Sequence, residues 1–291
     1  MLVPAGLSTV ALRYVSHAAE AGMAISALVA LGLAIVALRT HLAGMADFRQ
    51  GVAHMGRLQL VCFDLDNTLW HVEPVLVRAE RETWRWLVER VPELAVAVDA
   101  AWIRAKRDAL LRERPDYVHD LTALRRDAMR HTLLAAGVPE GDAATVARDA
   151  MEVFLELRNQ VVFFPDVLDT LERLHRRYML AALSNGNADL ARIGAGGLFD
   201  IVLSAESVGR AKPDPAMFQR ALERAQVKAC RAVHVGDHPE HDVRAARCAG
   251  LHAVWANPLG LPRPATLPDD VPAFADFGAL EQLLAEIDDA R

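Results

Sequence analysis

The sequence predicts an α/β protein built on a parallel sheet, with an all-helical segment inserted into it. Two observations carry that prediction. Short apolar runs at 58–63, 180–183 and 232–235 each end in a polar turn, the pattern of strands buried on both faces of a parallel sheet. Between the first and second runs lie more than a hundred residues, far more than one crossover needs. Apolar residues recur there at helical spacing.

The first run, Leu58 to Phe63, leads into Asp64-Leu65-Asp66-Asn67-Thr68. Asp64 falls at the carboxyl end of a strand, where open α/β sheets place their chemistry. A bend there brings Asp64 and Asp66 towards one point from either side of Leu65. Two carboxylates that close repel unless a proton or a cation separates them. The pattern therefore predicts a divalent-metal site, with one Asp as nucleophile and the other as acid and base. The competing reading is a strand that ends in an ordinary polar turn.

Three later segments favour the site. Leu180-Ala181-Ala182-Leu183 ends in Ser184-Asn185-Gly186-Asn187, where a hydroxyl and nearby backbone N–H groups could hold phosphate oxygens. Ser-Asn-Gly is also a common turn. In Gly209-Arg210-Ala211-Lys212-Pro213 the basic residue is one of only three lysines, with Lys106 and Lys228, among 32 basic residues. A compact ammonium suits a point charge between a carboxylate and a phosphate. Ala232 to Val235 runs into Gly236-Asp237, with Asp242 five residues on. Asp237 would complete an oxygen-rich site of the kind Mg²⁺ prefers. Asp242 could equally cap the helix that follows. His238 and His241 have no Cys or third His at ligand spacing, so zinc is not expected.

In this order, each after a strand, these four segments resemble the haloacid dehalogenase-like hydrolase superfamily from about Leu58 to Pro258. The resemblance implies a Rossmann-like core and an aspartyl-phosphate formed on Asp64. Asp66 would protonate the leaving oxygen and then activate water. Ser184, with Asn185 and Gly186, would bind the phosphoryl group, and Lys212 would stabilise charge on it and on Asp64. Mg²⁺ would sit between Asp64, Asp237 and the backbone carbonyl of Asp66, with Asp242 and Thr68 in support. The dehalogenases of the superfamily lack an acid at the position of Asp66, so a phosphatase is expected.

The interval after Asp66 reads as helices over Pro74–Val91, Leu94–Arg112, Leu121–Ala136 and Asp142–Val161, and is similar to the helical cap of the superfamily's first subfamily. The expected organisation is a core at 57–70 and 163–291, a cap at 71–162 and an N-terminal extension at 1–56. Within the cap, the stretches around Arg78 and around His119, together with 184–187, look similar to bacterial phosphatases that act on FMN and on 5-amino-6-(5-phospho-D-ribitylamino)uracil. Arg78 and His119 are the expected substrate contacts. A solvated helix face is the competing reading of Arg78, Glu80 and Arg81. Trp70 is expected to pack between cap and core.

Net charge is −6 and the pI about 6.0 with no basic stripe, which argues against nucleic acid as a partner. The expected partner is a small phosphorylated metabolite. Three cysteines, Cys62, Cys230 and Cys248, fit a reduced cytosolic setting. Ala21 to Leu38 is an uncharged run of eighteen residues, long enough as a helix for a bilayer core. It reads as a membrane anchor, a signal-like segment, a soluble helix, or upstream sequence before a true start at Met55. Beyond a Pro-rich stretch at 258–272, an amphipathic helix is expected over Phe277–Ile287. A phosphomutase and a membrane-tethered binding module without turnover are the rival functions. Intact Asp64, Asp66, Lys212 and Asp237 oppose the second.

Overall fold

The structure is a computed structural model that describes residues 58–97 and 100–289. The apolar run Ala21–Leu38 lies outside the described residues. Among the described residues no helix is long and apolar enough to cross a membrane.

Six strands form one parallel sheet in the order β3-β2-β1-β4-β5-β6. They are β1 (Leu60–Phe63), β2 (Met179–Ser184), β3 (Ile201–Ser204), β4 (Ala232–Gly236), β5 (His252–Ala256) and β6 (Ala273–Phe274). All four residues of β1 are buried, because β2 and β4 pair with its two edges and helices cover both faces. The two-residue alternation of strand side chains divides the core. Val61 and Phe63 face one layer with Leu171, Leu174, Leu280 and Leu284. Leu60 and Cys62 face the other with Met217, Phe218 and Ala221.

The chain runs outward from β1 through β2 to β3 on one side, and through β4, β5 and β6 on the other. The order reverses between β1 and β4, so the crevice at their carboxyl ends is the natural ligand position of such a sheet.

The anticipated strands at 58–63, 180–183 and 232–235 coincide with β1, β2 and β4. Strands β3, β5 and β6 were not anticipated. In β3 an exposed Val202 alternates with buried neighbours, and β6 has only two residues, too few for a periodic signal.

After Trp70 the chain leaves the sheet and builds α1 (Val72–Arg90), a short turn at Leu94–Ala97, α2 (Ala100–Glu113), α3 (Leu121–Ala135) and α4 (Glu140–Arg158). The helix expected over Leu94–Arg112 is thus described as two segments, on either side of residues 98 and 99. Pro139 takes the N-cap position of α4, and the helix begins two residues before the expected start. Ala79, Leu87, Met129, Leu133, Ala147, Met151 and Phe154 form an apolar cluster of the array's own. The two crossings between array and sheet are tied together: Trp70 pairs antiparallel with Phe163, and Phe164 N–H donates to the Leu69 carbonyl at 2.9 Å. On the sheet lie α5 (Val167–His175), α6 (Ala216–Ala225) and α7 (Leu280–Asp289). The last helix begins three residues later than expected, after a 3₁₀ turn at Phe277–Ala279.

Phe63 is fully buried and meets Phe199 edge to face at 6.4 Å. Phe63→Ala is expected to lower unfolding free energy by about 3–5 kcal/mol, the usual range for emptying an aromatic core site. A guanidinium-chloride melt at unchanged slope checks it.

Candidate active site

Every sequence-predicted residue of the sheet reaches the crevice between β1, β2 and β4. Asp64 follows β1 directly, its N–H donating to the Val235 carbonyl at 2.9 Å. The chain then turns back within four residues: Thr68 and Leu69 N–H both donate to the Leu65 carbonyl. Asn67 adopts φ 61° there, a left-handed conformation Asn tolerates better than most residues. Its side-chain oxygen accepts from Val72 N–H at 3.1 Å. This tight turn puts Asp64 and Asp66 at one mouth.

Lys212 is the centre of the site. Its ammonium, 1 % exposed, donates to Asp64 Oδ1 at 2.8 Å, to Asp242 Oδ1 at 2.6 Å and to the Leu183 carbonyl at 2.6 Å. All three of its protons are therefore used. Asn185 locks the Lys212 backbone by a reciprocal pair, accepting from its N–H at 2.7 Å and donating to its carbonyl at 2.8 Å. Asn185 thus positions Lys212, a role its place beside Ser184 did not announce.

Asp242 sits behind this centre. Its Oδ1 also meets His234 Nε2 at 2.9 Å, and its Oδ2 accepts from His238 N–H at 3.0 Å. It therefore holds a backbone turn and a buried cation at once, while His238 takes the N-cap position of that turn. A Cβ at Gly236 would collide with this carboxylate, which is why β4 ends in glycine. His238 accepts from Glu240 and His241 N–H through Nδ1, and the two imidazoles stack at 4.0 Å. They cap the turn.

Burial pushes the Asp64 carboxyl well above its usual range; Lys212 opposes this, and Asp242 and Asp237 add to it. Burial pushes Asp237 up to about 7, with Asp242 next in effect. Burial would raise Asp242 too, but Lys212 and His234 hold it below the usual carboxylate range. Burial works against the Lys212 charge, yet Asp242 and Asp64 keep its ammonium above the ordinary lysine value. His234 is driven down by burial and is neutral, so its Nε2 carries the proton given to Asp242.

Carboxyl oxygens of Asp64, Asp237 and Asp242 lie within 4.8 Å of one another. Thr68 bridges two of them: its hydroxyl lies 3.3 Å from Asp64 Oδ2 and 3.4 Å from Asp237 Oδ1, and accepts from Asp237 N–H at 3.1 Å. With Asp66 there are four carboxylates, against the two cations Lys212 and Arg158. Two negative charges are left over on an all-oxygen donor set, which fits a hard divalent cation. The oxygens of Asp242 are already committed, so Asp64 and Asp237 are the carboxylates that could hold one.

Asp66 is held from the helical array. Arg158, the last residue of α4 and 1 % exposed, places Nη2 2.7 and 2.6 Å from the two Asp66 oxygens. Its Nε donates to Asn187 Oδ1 at 3.2 Å, while Nη1 is buried without a partner. Trp70 Nε1–H donates to Asp66 Oδ1 at 2.8 Å, and its ring meets Phe163 edge to face at 5.4 Å. Trp70 therefore packs as expected and also orients Asp66. Ser184 is buried and accepts from Gly186 N–H at 2.9 Å. A Cβ on Gly186 would lie 2.6 Å from Asp66 Oδ2 and 3.3 Å from the Ser184 hydroxyl, so only glycine lets this turn approach the acid.

The array residues divide. His119 comes to the site, its Nδ1 accepting from Ala211 N–H at 3.0 Å, beside Lys212. Arg78 donates to the Leu157 and Gln160 carbonyls at 3.3 and 2.6 Å, tying α1 to the end of α4. Arg158 and His234 are the polar residues that carried no role in the sequence reading. Arg158 had no local signal, since a helix-terminal Arg is ordinary. His234 stood inside a strand pattern.

Arg158→Met is expected to destabilise the protein by about 3 kcal/mol, the low end for breaking a buried pair because Asp66 is partly exposed. Arg158→Lys should recover part of this, since an ammonium restores charge without the guanidinium geometry. Thermal melts of the three proteins decide it.

A family model for haloacid dehalogenase-like hydrolases matches residues 58–250. The 5-amino-6-(5-phospho-D-ribitylamino)uracil phosphatase of Escherichia coli is 33% identical over 204 residues, covering 70% of this chain and 85% of its own. The phosphoserine phosphatase of Thermus thermophilus is 32% identical, over 69% and 89% of the two chains. Among solved structures, a 2-haloacid dehalogenase of Pseudomonas syringae pv. tomato superposes with a TM-score of 0.74 at 42% identity, over 79% of this chain and 99% of its own. With Asp66 in the site, the chain belongs to the haloacid dehalogenase-like hydrolase family, as one of its phosphatases.

Proposed function

We propose that this enzyme hydrolyses phosphomonoesters of small metabolites in a Mg²⁺-dependent reaction, through an aspartyl-phosphate on Asp64. The observation that carries the reading is the buried Lys212 ammonium shared by Asp64 and Asp242, beside a second carboxylate, Asp66, that owns its own cation. Phosphoryl transfer asks for positioning and charge neutralisation, and this arrangement is built for both.

Asp64 attacks phosphorus, its approach fixed by Lys212 and Thr68. Ser184 and the N–H groups of the following turn take the phosphoryl oxygens. Asp66 gives a proton to the leaving oxygen and later takes one from the hydrolytic water. Arg158 and Trp70 orient Asp66 for both transfers. Held by Asp64, Asp237 and the Asp66 carbonyl, Mg²⁺ would neutralise charge on the transferring group.

The helical array serves as a cap over residues 71–162 that excludes water and supplies substrate contacts. His119, Arg158 and Thr122 reach the core side of the crevice, the last 3.4 Å from Asn187. A substrate with a polar chain next to the phosphate suits these groups. FMN and 5-amino-6-(5-phospho-D-ribitylamino)uracil have that chemistry, and the second is the substrate named for the Escherichia coli relative. Such a role would place the protein in riboflavin synthesis. The unbridged Cys230 and Cys248, both exposed, suit a reducing cytosol.

The test is phosphate release by the full chain on FMN, the ribitylaminouracil phosphate, phosphoserine, phosphoglycolate and sugar phosphates, with 2-chloropropionate as the dehalogenase control. Asp64→Asn is expected to lose at least about a thousandfold in kcat, as loss of a nucleophile does. Asp66→Asn should lose about a hundred- to ten-thousandfold. Chloride release without phosphate release, or phosphate release that survives Asp64→Asn, would sink the reading.

A second expectation concerns the metal-free protein. Both folded and unfolded states carry the Asp237 proton below the ordinary carboxylate range. As pH climbs towards 7 the unfolded chain has released it and the folded protein still holds it. Stability therefore falls through that window and levels off above it. Asp237→Asn should raise the Tm at pH 8, leave it nearly unchanged at pH 4, and weaken the Tm gain that wild type shows on adding Mg²⁺.

A further inference from the structure

Away from the crevice, the helical array encloses a cavity of about 300 Å³ between α1, α2, α3 and α4. That is the lower end of the size range of small-molecule sites. Its apolar lining includes Trp84, Ile103, Met129 and Phe154. Nothing in the proposed phosphatase reaction uses it.

Two independent features of the lining point to an occupant. The first is charge. Glu80 is the centre of three guanidinium groups: Arg125 at 2.8 Å and Arg107 at 3.0 Å on Oε1, and Arg104 at 3.9 Å on Oε2. Arg107 has a further acidic neighbour, Asp108 at 3.7 Å, whose side chain is 62 % exposed. Arg81, also on the lining, is answered by Glu82 at 2.9 Å. One partly buried carboxylate thus faces three cations, and Arg125 is only 14 % exposed. It lies over the Phe154 ring at 4.3 Å, so its planar face is stacked while its edge stays available for a further acceptor.

The second feature is an orphan. Thr83 lines the same cavity, is 2 % exposed, and its hydroxyl has no hydrogen-bond partner. Leaving a buried hydroxyl unpaired is costly, and a bound molecule with a polar atom would relieve it.

We propose that this cavity is a second ligand site, for a small amphipathic anion. Its flat apolar body lies against Trp84, Met129 and Phe154, and its carboxylate or phosphate-like head is taken by Arg125 and Arg107 in competition with Glu80. A neutral apolar ligand would leave the excess charge unanswered, and a cation would meet repulsion. The site also has a route to the reaction. Phe154, in its wall, and Arg158, on Asp66, stand four residues apart on α4, one turn along the same helix face.

The experiment is calorimetric titration of the full chain, with Mg²⁺ and excess inorganic phosphate present so that the crevice is occupied. The probes are 1-naphthoate, 1-naphthalenesulfonate and the uncharged 1-naphthalenemethanol. The two anions are expected to bind once per chain, about tenfold or more tighter than the alcohol, the scale of a charge-assisted hydrogen bond. Similar binding of both anions marks general anion recognition, and preference for naphthoate marks a carboxylate site; either supports the proposal. Arg125→Met should erase the preference for the anions and leave the alcohol unchanged. Ala128→Leu, which fills the cavity from α3, should remove all binding. Should Ala128→Leu fail to fold, Arg125→Met alone decides. Absence of saturable binding to wild type, or anion binding indifferent to Arg125→Met, would overturn it.

Discussion

The buried ammonium of Lys212 is the interaction on which the rest of the site depends. It has no water to fall back on, and all three of its protons go to fixed oxygens on three different segments: the end of β1, the end of β2 and the turn after β4. A cation stripped of water is tolerable only where carboxylates surround it. The same ammonium helps hold Asp242 below the usual carboxylate range and lets Asp64 lie close to it. The crevice is therefore a mutually dependent cluster of opposite charges, and it holds the carboxyl ends of the three central strands in register with one another.

That cluster also explains the chemistry. Lys212 answers Asp64 and Asp242, and Arg158 answers Asp66, so each carboxylate of the reacting pair has its own cation. The two aspartates, two residues apart in sequence, are in this way made chemically different. One is buried at the strand end, against the Lys212 ammonium. The other is partly exposed and oriented by an indole and a guanidinium. Asp64 and Asp237 present carboxyl oxygens close together, a donor set that fits a hard divalent cation.

Arg158 ties the helical array to the crevice. The array folds around an apolar cluster of its own, and its last helix delivers a guanidinium onto the acid of the catalytic pair. Movement of the array relative to the sheet would move Arg158, and with it the environment of Asp66. A ligand seated against Phe154, one turn away on the same helix, would bear on the same lever.

Local pattern was enough to find Asp64, Asp66, Ser184, Lys212 and Asp237, because each follows an apolar strand and the sheet brings strand ends together by construction. The same pattern separated the helical insertion from the core, since helical and strand periodicities differ. What it missed are the contacts made across elements. Arg158 is 92 positions from Asp66, and Asn185 reaches across 27 positions to the Lys212 backbone. Arg78, expected at the substrate, bonds instead to the carbonyls at the end of α4. The sequence by itself determined the order of strands that carry chemistry, the residue types at their ends, and hence the class of reaction. Only the tertiary structure decided which cation answers which carboxylate, for pairing of buried charges is settled by distance in three dimensions, and side-chain periodicity records burial but not partners.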